Sequence, residues 1–234
     1  MHVLNQLNMP TNTSKIIVGV DEAGRGPVLG PMVMVALAVK EEDQKKLTWM
    51  GVKDSKMLSS EVREDLFDRI REVVQDFRIE VIEPDAIDLS LTEAESNLNW
   101  LEADTSARMV SELDSHKIIL DCPSPNLAAY KEYVTARLSK AVKEKAELIV
   151  EHKADKNHIV VSAASVIAKV IRDRQVERLK KEIGIDFGSG YMSDPKTKEF
   201  LEKYSDQFPN LFRKKWRPFK DIKESKKQKR LGEF

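Results

Sequence analysis

Short apolar runs alternate with stretches of helical periodicity along most of the chain. Runs rich in Val, Ile and Leu, bounded by polar or turn residues, predict β-strands. These runs lie at residues 15–20, 32–39, 78–82, 117–120 and 148–151. Strands that alternate with helices are typical of an α/β fold with a central sheet.

Helical spacing of apolar residues fills the intervals between these strands. The first helix is expected behind Ser59 and Ser60, whose hydroxyls can cap its N-terminus. Its apolar face comprises Val62, Leu66, Ile70, Val73 and Phe77. Similar patterns predict helices over 98–113, 130–142 and 160–183.

The pattern changes beyond residue 184. A glycine-punctuated loop leads to Asp194 and Pro195, which suit the N-cap and the first position of another helix. A basic stretch follows. We therefore expect one α/β domain over residues 1–184 and a mostly helical extension over 185–234, which folds back over the sheet and ends in a basic tail.

Charge is balanced overall but clustered at the C-terminus. The 39 basic and 39 acidic residues give no net charge, yet residues 213–230 hold ten Lys or Arg against two acids. Trp216 and Phe219 lie within that stretch. Lys and Arg displace counterions from phosphates and aromatic rings can stack on bases, so this segment is either a nucleic-acid surface or a solvated tail.

Composition narrows the class of protein further. Cys122 is the only cysteine, which excludes an intramolecular disulfide and a cysteine-rich zinc site. The apolar runs are too short to span a bilayer, and the first residues lack the order of a signal peptide. We expect a cytoplasmic protein without a membrane partner, and a monomer.

Candidate chemistry begins where the first strand meets VDEAGRGPVLGP, residues 20–31. Asp21 and Glu22 can converge on one site only where the strand ends or bends, because side chains alternate along a strand. The glycines and prolines that follow favour such an ending. A glycine-rich loop also lets backbone N–H groups approach an anionic or hydroxylated ligand. A tight turn with solvated acids is the alternative.

Two further acids follow apolar runs in the same way. Asp121 follows Leu120 and precedes a proline at 123, and Asp155 comes shortly after the run at 148–150. Residues beyond strand ends line the ligand crevice of an open α/β sheet. Gathered carboxylates repel one another unless a cation neutralises them, and oxygen ligands favour Mg²⁺ or Mn²⁺. A pair of ions would suit phosphodiester hydrolysis.

With these residues identified, the chain resembles type 2 ribonuclease H, ribonuclease HII, of the archaeal kind. The resemblance covers nearly the whole length. It is carried, in the family's order, by VDEAGRGPVLGP at 20–31, KDSKMLS at 53–59, NLN at 97–99, LDCPSP at 120–125, HKAD at 152–155, VVSAASVIAKVIRDR at 160–174 and GSGYMSDPKT at 188–197. It implies a ribonuclease H-like fold, with a central mixed sheet flanked by helices and a C-terminal helical extension.

The resemblance also implies an activity. Family members hydrolyse the RNA strand of RNA–DNA hybrids and cut 5' of ribonucleotides embedded in DNA duplexes, leaving 3'-hydroxyl and 5'-phosphate ends. By residue-by-residue match, the family's metal-binding acids, which hold two divalent ions, are Asp21, Glu22, Asp121 and Asp155. Asp173 competes with Asp155 for the fourth position; Asp155 is preferred because Asp173 lies within a helix among basic residues, including Lys169.

Substrate contacts are implied in the same way. Gly24, Arg25 and Gly26 match a motif whose backbone contacts the 2'-hydroxyl of the ribonucleotide, and Tyr191 matches a tyrosine that stacks on the neighbouring ribose. Here methionine follows Tyr191 where proline is more usual. Lys56 and Asn97 match positions associated with the nucleic-acid backbone, although an asparagine at a helix start often serves only as a cap. His152, beside the HKAD motif, has an open role.

The C-terminus offers one more candidate site. Gln228, Leu231 and Phe234 have the spacing of a short sliding-clamp-binding motif, against the alternative of a disordered basic tail. Two other functions stay open at this point: a DNA-specific nuclease of the same fold, and a non-catalytic adaptor that binds nucleic acid or a clamp. The glycine–arginine–glycine turn with Tyr191 argues against the first, and the full set of acids argues against the second.

Overall fold

A computed structural model describes residues 14–52, 58–92 and 96–231. Its centre is a five-stranded sheet in the order β3-β2-β1-β4-β5. The strands are β1 (Ile16–Ala23), β2 (Met32–Lys40), β3 (Asp76–Ile82), β4 (Lys117–Asp121) and β5 (Glu147–Glu151). β1 pairs antiparallel with β2 and β2 with β3, whereas β1, β4 and β5 run parallel. The carboxyl ends of β1, β4 and β5 therefore meet at one edge of the sheet.

Helices cover both faces of this sheet. They are α1 (Gln44–Trp49), α2 (Ser60–Val73), α3 (Pro84–Ser90), α4 (Leu98–Ser111), α5 (Leu127–Arg137), α6 (Lys140–Lys145), α7 (Ala154–Asn157), α8 (Ile159–Ile183), α9 (Pro195–Tyr204) and α10 (Arg217–Leu231). None of the helices in the described ranges is long and apolar enough to cross a membrane.

The long helix α8 lies directly on β1. A Cβ on Gly19 would stand 2.6 Å from the carbonyl carbon of Val160, closer than real Cβ contacts allow. Glycine at this position therefore lets the helix backbone touch the strand. This close approach brings the following turns of α8, with Ser165 and Lys169, to the carboxyl end of β1.

Three apolar clusters hold the layers together. Alternate residues of β2 point to opposite faces, so Val33, Val35 and Leu37 pack with α2 and α8, whereas Met32, Met34 and Ala36 pack with α4 and α5. The third cluster joins the C-terminal helices to the loop after β1. It comprises Val28, Leu29, Val176, Phe187, Phe200, Leu201, Phe212 and Phe219.

Most sequence-based predictions of elements are confirmed. All five expected strands form, as do the helices at 60–73, 98–111 and 159–183. Ser59 caps α2 and Asp194 caps α9, with Pro195 as its first residue. The mixed sheet with flanking helices and C-terminal helices agrees with the expected fold class. The boundary at residue 184 stays a prediction.

Two local predictions were wrong, and two short helices were not predicted. Phe77 belongs to β3, because α2 ends at Val73 and the chain turns before the strand. The helix expected over 130–142 is two helices: Leu138 leaves helical geometry and Ser139 caps α6. Helices α1 and α3 were not predicted, since six- and seven-residue helices carry too few apolar positions to show a period.

The basic C-terminal segment also differs from its expected character. Arg213 is fully buried and Phe219 is 6% exposed, so neither belongs to a solvated surface. Trp216 packs partly against the third cluster and donates its ring N–H to the carbonyl of Gly26 at 3.3 Å. This part of the segment anchors the extension to the loop after β1, and the buried Phe219 ring is not free to stack on bases.

Candidate active site

Four carboxylates line one pocket at the carboxyl ends of the parallel strands. The pocket, about 250 Å³, is bounded by Asp21, Glu22, Asp121 and Asp155, together with Ser165, Lys169, Tyr191 and the turn at 23–26. The sheet topology explains the gathering. Asp21 and Glu22 lie near the end of β1, Asp121 ends β4, and Asp155 lies in α7 just after β5.

Adjacent residues Asp21 and Glu22 both reach the pocket because β1 loses one of its neighbours there. Its pairing with β4 stops at Val20, opposite Leu120, while its pairing with β2 continues to Ala23. The strand is thus an open edge on the β4 side from Asp21 onward. The strand end anticipated from the sequence is realised on one side only.

Local hydrogen bonds fix Asp121 and Asp155. The Ala154 N–H donates to Asp121 Oδ1 at 2.9 Å, which ties the end of β4 to the start of α7. Lys153 before it adopts a left-handed conformation with φ 59°, and this turn brings Asp155 round to the pocket. The Ser162 hydroxyl of α8 donates to the Asp155 carbonyl oxygen. Asp155 is 5% exposed.

Burial and nearby negative charge raise the pKa of two of these carboxylates, Asp21 and Glu22. Burial, with the charge of Glu22, raises the pKa of Asp21 well above its usual range, although a hydrogen bond from Ser165 opposes the shift. Burial, with the charges of Glu102 and Asp121, raises the pKa of Glu22 to about 8. Such a cluster favours the binding of a cation, because nearby positive charge stabilises the ionised carboxylates.

The donor set fits a hard divalent cation. It consists of carboxylate oxygens, with no thiolate or imidazole among the pocket residues. Within the described ranges, no three His, Cys, Asp or Glu side chains are already gathered at metal-ligand spacing. Asp21, Glu22, Asp121 and Asp155 are the pocket residues that could hold such an ion.

A buried arginine, Arg213, binds the backbone of the glycine–arginine–glycine turn at residues 24–26. Arg213 donates to the carbonyls of Gly24 at 2.5 Å, Arg25 at 2.7 Å and Gly30 at 3.0 Å. Burial lowers the pKa of Arg213 to about 10. A trans peptide directs its N–H opposite to its C=O. Because the carbonyls of Gly24 and Arg25 point to Arg213, the N–H groups of Arg25 and Gly26 point away from Arg213, and the turn that carries them lines the pocket.

Glycine is required at position 24 itself. Its φ is +78°, and a Cβ there would stand 2.8 Å from the Pro31 carbonyl oxygen and 3.1 Å from Arg172 Cγ. Gly26 has room, with Tyr191 Cε1 at 3.6 Å from a notional Cβ. The turn is therefore packed between Arg172, Arg213 and Tyr191, and its backbone faces the pocket.

A second buried arginine supports Tyr191. Arg172 of α8 is 2% exposed and donates to the Ser189 carbonyl at 2.6 Å. Its guanidinium carbon lies 5.4 Å from the centre of the Tyr191 ring, and the ring itself is 37% exposed at the pocket rim. The loop that carries the ring is tightened by Asp194, which accepts from the Ser189 N–H at 2.7 Å.

Two residues near the site were missed in the sequence. Glu102 of α4 is 1% exposed and accepts from Arg25 Nε at 2.8 Å; burial raises its pKa to about 7. Asn99, one turn earlier, accepts from Arg25 Nη2 at 2.7 Å. The residues around Glu102 give no sign of its role, since it resembles any other acidic residue within a predicted helix. NLN at 97–99 drew attention to Asn97 instead.

The remaining sequence candidates lie as follows. Asn97 is exposed and caps α4 by accepting from the Trp100 N–H at 3.2 Å, outside the pocket lining. Asp173 pairs with Lys169 and with Arg63 at 3.4 Å and is not among the residues that line the acid pocket, whereas Asp155 is. His152 Nδ1 lies 3.0 Å from the Cys122 carbonyl oxygen. Lys56 lies outside the described residues.

The candidate clamp residues are only partly described. Gln228 is exposed on α10, and Leu231 is the last residue of that helix. Phe234 and the side chain of Leu231 lie outside the described part of the chain. Within the basic segment 213–230, the chain is helical from Arg217 onward, and the helix continues to Leu231.

Known folds place this arrangement among ribonuclease H-like proteins. The ribonuclease H2 structure from Pyrococcus horikoshii OT3 is similar, with a TM-score of 0.80 and 38% identity over 90% of this chain and 98% of that one. The structure of the PCNA:RNase HII complex from Archaeoglobus fulgidus has a TM-score of 0.76 and 35% sequence identity, over 86% of this chain and 95% of that one. Bst-RNase HIII in complex with Mn²⁺ shares the fold, with a TM-score of 0.76. Its sequence identity is 21%, over 92% of this chain and 71% of that one.

Sequence comparison identifies the family. The family model described as Ribonuclease HII matches residues 18–218. Ribonuclease HII of Methanococcus maripaludis strain C6 is 42% identical over 95% of both chains, and that of Pyrococcus abyssi is 41% identical over 92% of this chain and 94% of its own. The chain belongs to the ribonuclease HII family. It is a ribonuclease H, an endonuclease that acts on RNA–DNA hybrids, and its family depends on divalent metal ions.

Proposed function

We propose that the chain hydrolyses the phosphodiester bond on the 5' side of a ribonucleotide, in RNA–DNA hybrids and at single ribonucleotides embedded in DNA. The observation that carries the proposal is the junction of two features in one pocket: the carboxylates Asp21, Glu22, Asp121 and Asp155, and the backbone of the turn at 24–26. The first suits phosphodiester hydrolysis, and the second suits recognition of a sugar hydroxyl.

In this proposal the four acids hold two Mg²⁺ or Mn²⁺ ions. Ions in such a site supply an activated water and stabilise the leaving oxygen, so that the products carry a 3'-hydroxyl and a 5'-phosphate. The protein's own contribution is to keep the acids together despite their repulsion. Hydrogen bonds to the carboxylates support this: one from Ser165 favours the ionised form of Asp21, and the Ala154 N–H donates to Asp121.

The turn at 24–26 is assigned the recognition of the 2'-hydroxyl. The N–H groups of Arg25 and Gly26 point away from Arg213 in a turn that lines the pocket, so they can donate to a hydroxyl oxygen, and DNA offers no such group at that position. Tyr191, exposed at the rim beside Gly26, is assigned to stack on the sugar. A DNA-specific nuclease would need neither device, which is why we place that function second.

Two outlying assignments complete the proposal. Lys56 and Asn97 are assigned to the nucleic-acid backbone on the family match alone, and for Asn97 the cap of α4 is a sufficient alternative role. Gln228, Leu231 and Phe234 are assigned to a sliding clamp. The structure of an Archaeoglobus fulgidus relative as a PCNA:RNase HII complex supports a clamp partner for this chain.

The test uses a labelled DNA duplex with one embedded ribonucleotide, beside an all-DNA duplex of the same sequence. Cleavage only 5' of the ribonucleotide, and only with Mg²⁺ or Mn²⁺, is the expected result. Asp121→Asn should lower turnover by orders of magnitude with an unchanged melting temperature. Cutting of both duplexes would favour the DNA nuclease, and binding without cutting would favour the adaptor.

A further inference from the structure

The side chain of Arg25 is held by helix α4 in a way that backbone recognition does not require. Its Nε donates to Glu102 Oε1 at 2.8 Å and one Nη2 hydrogen goes to Asn99 Oδ1 at 2.7 Å. Asn99 and Glu102 are three residues apart on α4, so one helical turn presents both acceptors together. The guanidinium is thus fixed along one edge.

The pairing joins a buried carboxylate to a partly exposed cation. The Glu102 side chain is 1% exposed, whereas that of Arg25 is 37% exposed and lines the pocket. Glu102 Oε2 is buried without a hydrogen-bond partner among the described residues. A carboxylate in such a place is strongly unfavourable unless a cation is held against it. Arg25 therefore compensates the buried charge of Glu102, and Glu102 in turn fixes the position of the Arg25 guanidinium.

The fixed guanidinium still has donors to offer. An arginine carries five N–H donors in a planar fork. Only Nε and one Nη2 hydrogen have acceptors in the described part of the chain, which leaves both Nη1 hydrogens and the second Nη2 hydrogen for a ligand of this partly exposed, pocket-lining residue. A planar pair of donors of this kind matches two oxygens of a phosphate group.

We propose that the Arg25 side chain binds a backbone phosphate of the nucleic acid next to the scissile bond, and that Glu102 and Asn99 are positioning residues which aim it. The inference rests on the proposed function and extends it: the backbone of residues 24–26 reads the sugar, while the side chain of the middle residue holds a phosphate. A phosphate contact is indifferent to the 2'-hydroxyl, so the two roles are separable.

The experiment measures binding instead of cleavage. All variants are made in an Asp121→Asn background, and fluorescence anisotropy gives Kd for a labelled RNA–DNA hybrid and an all-DNA duplex over a series of KCl concentrations. Each phosphate contact contributes roughly 0.9 to the slope of log K against log[salt]. Arg25→Met should weaken binding of both duplexes by about tenfold and reduce the slope by about 1.

Glu102→Gln keeps the shape of the side chain but removes its charge. It should weaken binding and lower the slope in the same direction as Arg25→Met, and the double variant should bind no more weakly than Arg25→Met alone. Asn99→Ala, which leaves the buried carboxylate paired, gives a second measurement should Glu102→Gln not fold. Arg108→Met is the matched control: Arg108 lies on the same helix, pairs with Glu80 at 3.1 Å and is outside the pocket, so its slope should equal that of the parent.

An unchanged slope in Arg25→Met would overturn the phosphate contact. Additive losses in the double variant would overturn the positioning role of Glu102. Weakening confined to the hybrid would assign Arg25 to the 2'-hydroxyl instead. Because none of these readings depends on turnover, a wild-type protein that fails to cleave would defeat the proposed function and leave this inference to be decided by the salt slope.

Discussion

Arg213 and Gly24 are 189 residues apart in the chain, yet Arg213 Nη2 donates to the Gly24 carbonyl at 2.5 Å. The contact passes from the C-terminal extension to the turn that faces the acid pocket. It is made by a guanidinium with no exposed surface. The extension is therefore part of the site's construction, because the orientation of two peptide planes in the turn depends on it.

Arg213→Met should disrupt both folding and recognition. The substitution leaves the carbonyls of Gly24, Arg25 and Gly30 without their donor. A buried unsatisfied polar group costs about 1–3 kcal/mol, so the unfolding free energy should fall by at least about 2 kcal/mol. Arg213→Lys keeps the charge but reaches fewer carbonyls, so its unfolding free energy should lie between those of the wild type and Arg213→Met.

Denaturant unfolding and cleavage assays check this prediction together. Arg213→Lys should fold, and its preference for an embedded ribonucleotide over DNA should fall more than its affinity for duplex. An Arg213→Lys protein with wild-type preference would mean that the turn holds its conformation without the buried fork.

Gly24→Ala tests the close packing of the turn. A methyl group at φ +78° meets the Pro31 carbonyl oxygen at 2.8 Å, so both strain and a clash are expected. Gly184→Ala is the matched control, because its φ is +70° and no atom lies within 4 Å of a Cβ there. The control should lose only the left-handed conformational term of about 1–2 kcal/mol.

The measurements are thermal melts and cleavage of the single-ribonucleotide duplex. Gly24→Ala should lose more stability than Gly184→Ala and most of its activity, whereas Gly184→Ala should cleave at the wild-type rate once both are folded. Equal losses in the two variants would show that the space around Gly24 does not matter.

The pattern of apolar and polar residues was sufficient to predict the strands of the sheet and the cluster of acids beyond them. Asp21, Asp121 and Asp155 follow apolar strands, and parallel strands bring their carboxyl ends to one edge, so local reading and one topological rule predicted the pocket. Helix caps at Ser59 and Asp194 were equally local.

What the sequence did not reveal depends on long-range contacts. Arg213 stands in a basic run and resembles a surface residue, and only its burial beneath the turn distinguishes it. Glu102 meets Arg25 from 77 residues away. Periodicity reports which face of a helix is apolar, but it does not report which polar residue on that helix is paired and buried.

Asp155→Asn and Asp173→Asn distinguish the two candidates for the fourth acid. Asp155 lines the pocket with the other carboxylates, whereas Asp173 is engaged by Lys169 and Arg63. Asp155→Asn should lower kcat by orders of magnitude with little effect on duplex affinity. Asp173→Asn should keep activity within severalfold of wild type. Steady-state kinetics with Mg²⁺ decide, and the reverse ranking would move the fourth ligand to Asp173.

Acid should weaken the attachment of α10 through Asp206. Hydrogen bonds from Lys223 and Lys226 lower the pKa of Asp206 to about 2. The pKa of an aspartate in an unfolded chain is about 3.9, so folding lowers the pKa of Asp206 and favours its ionised form. This contribution is therefore complete above about pH 4 and is lost as the pH falls toward the folded value. The Asp206 side chain is 54% exposed, and solvent screening limits the contribution to less than about 1 kcal/mol.

Asp206→Asn isolates this contribution, since it removes the charge and keeps the side-chain shape. Urea unfolding of the variant and the wild type should differ by about 0.5 kcal/mol at pH 7, by less at pH 3, and by less again in high salt, because exposed ion pairs are screened. Asp221→Asn is a suitable control, as that carboxylate on α10 pairs with Arg217 of its own helix at 3.6 Å. A difference that persists unchanged at pH 3 would mean that Asp206 acts through shape or hydrogen bonding, and that its charge does not hold α10 in place.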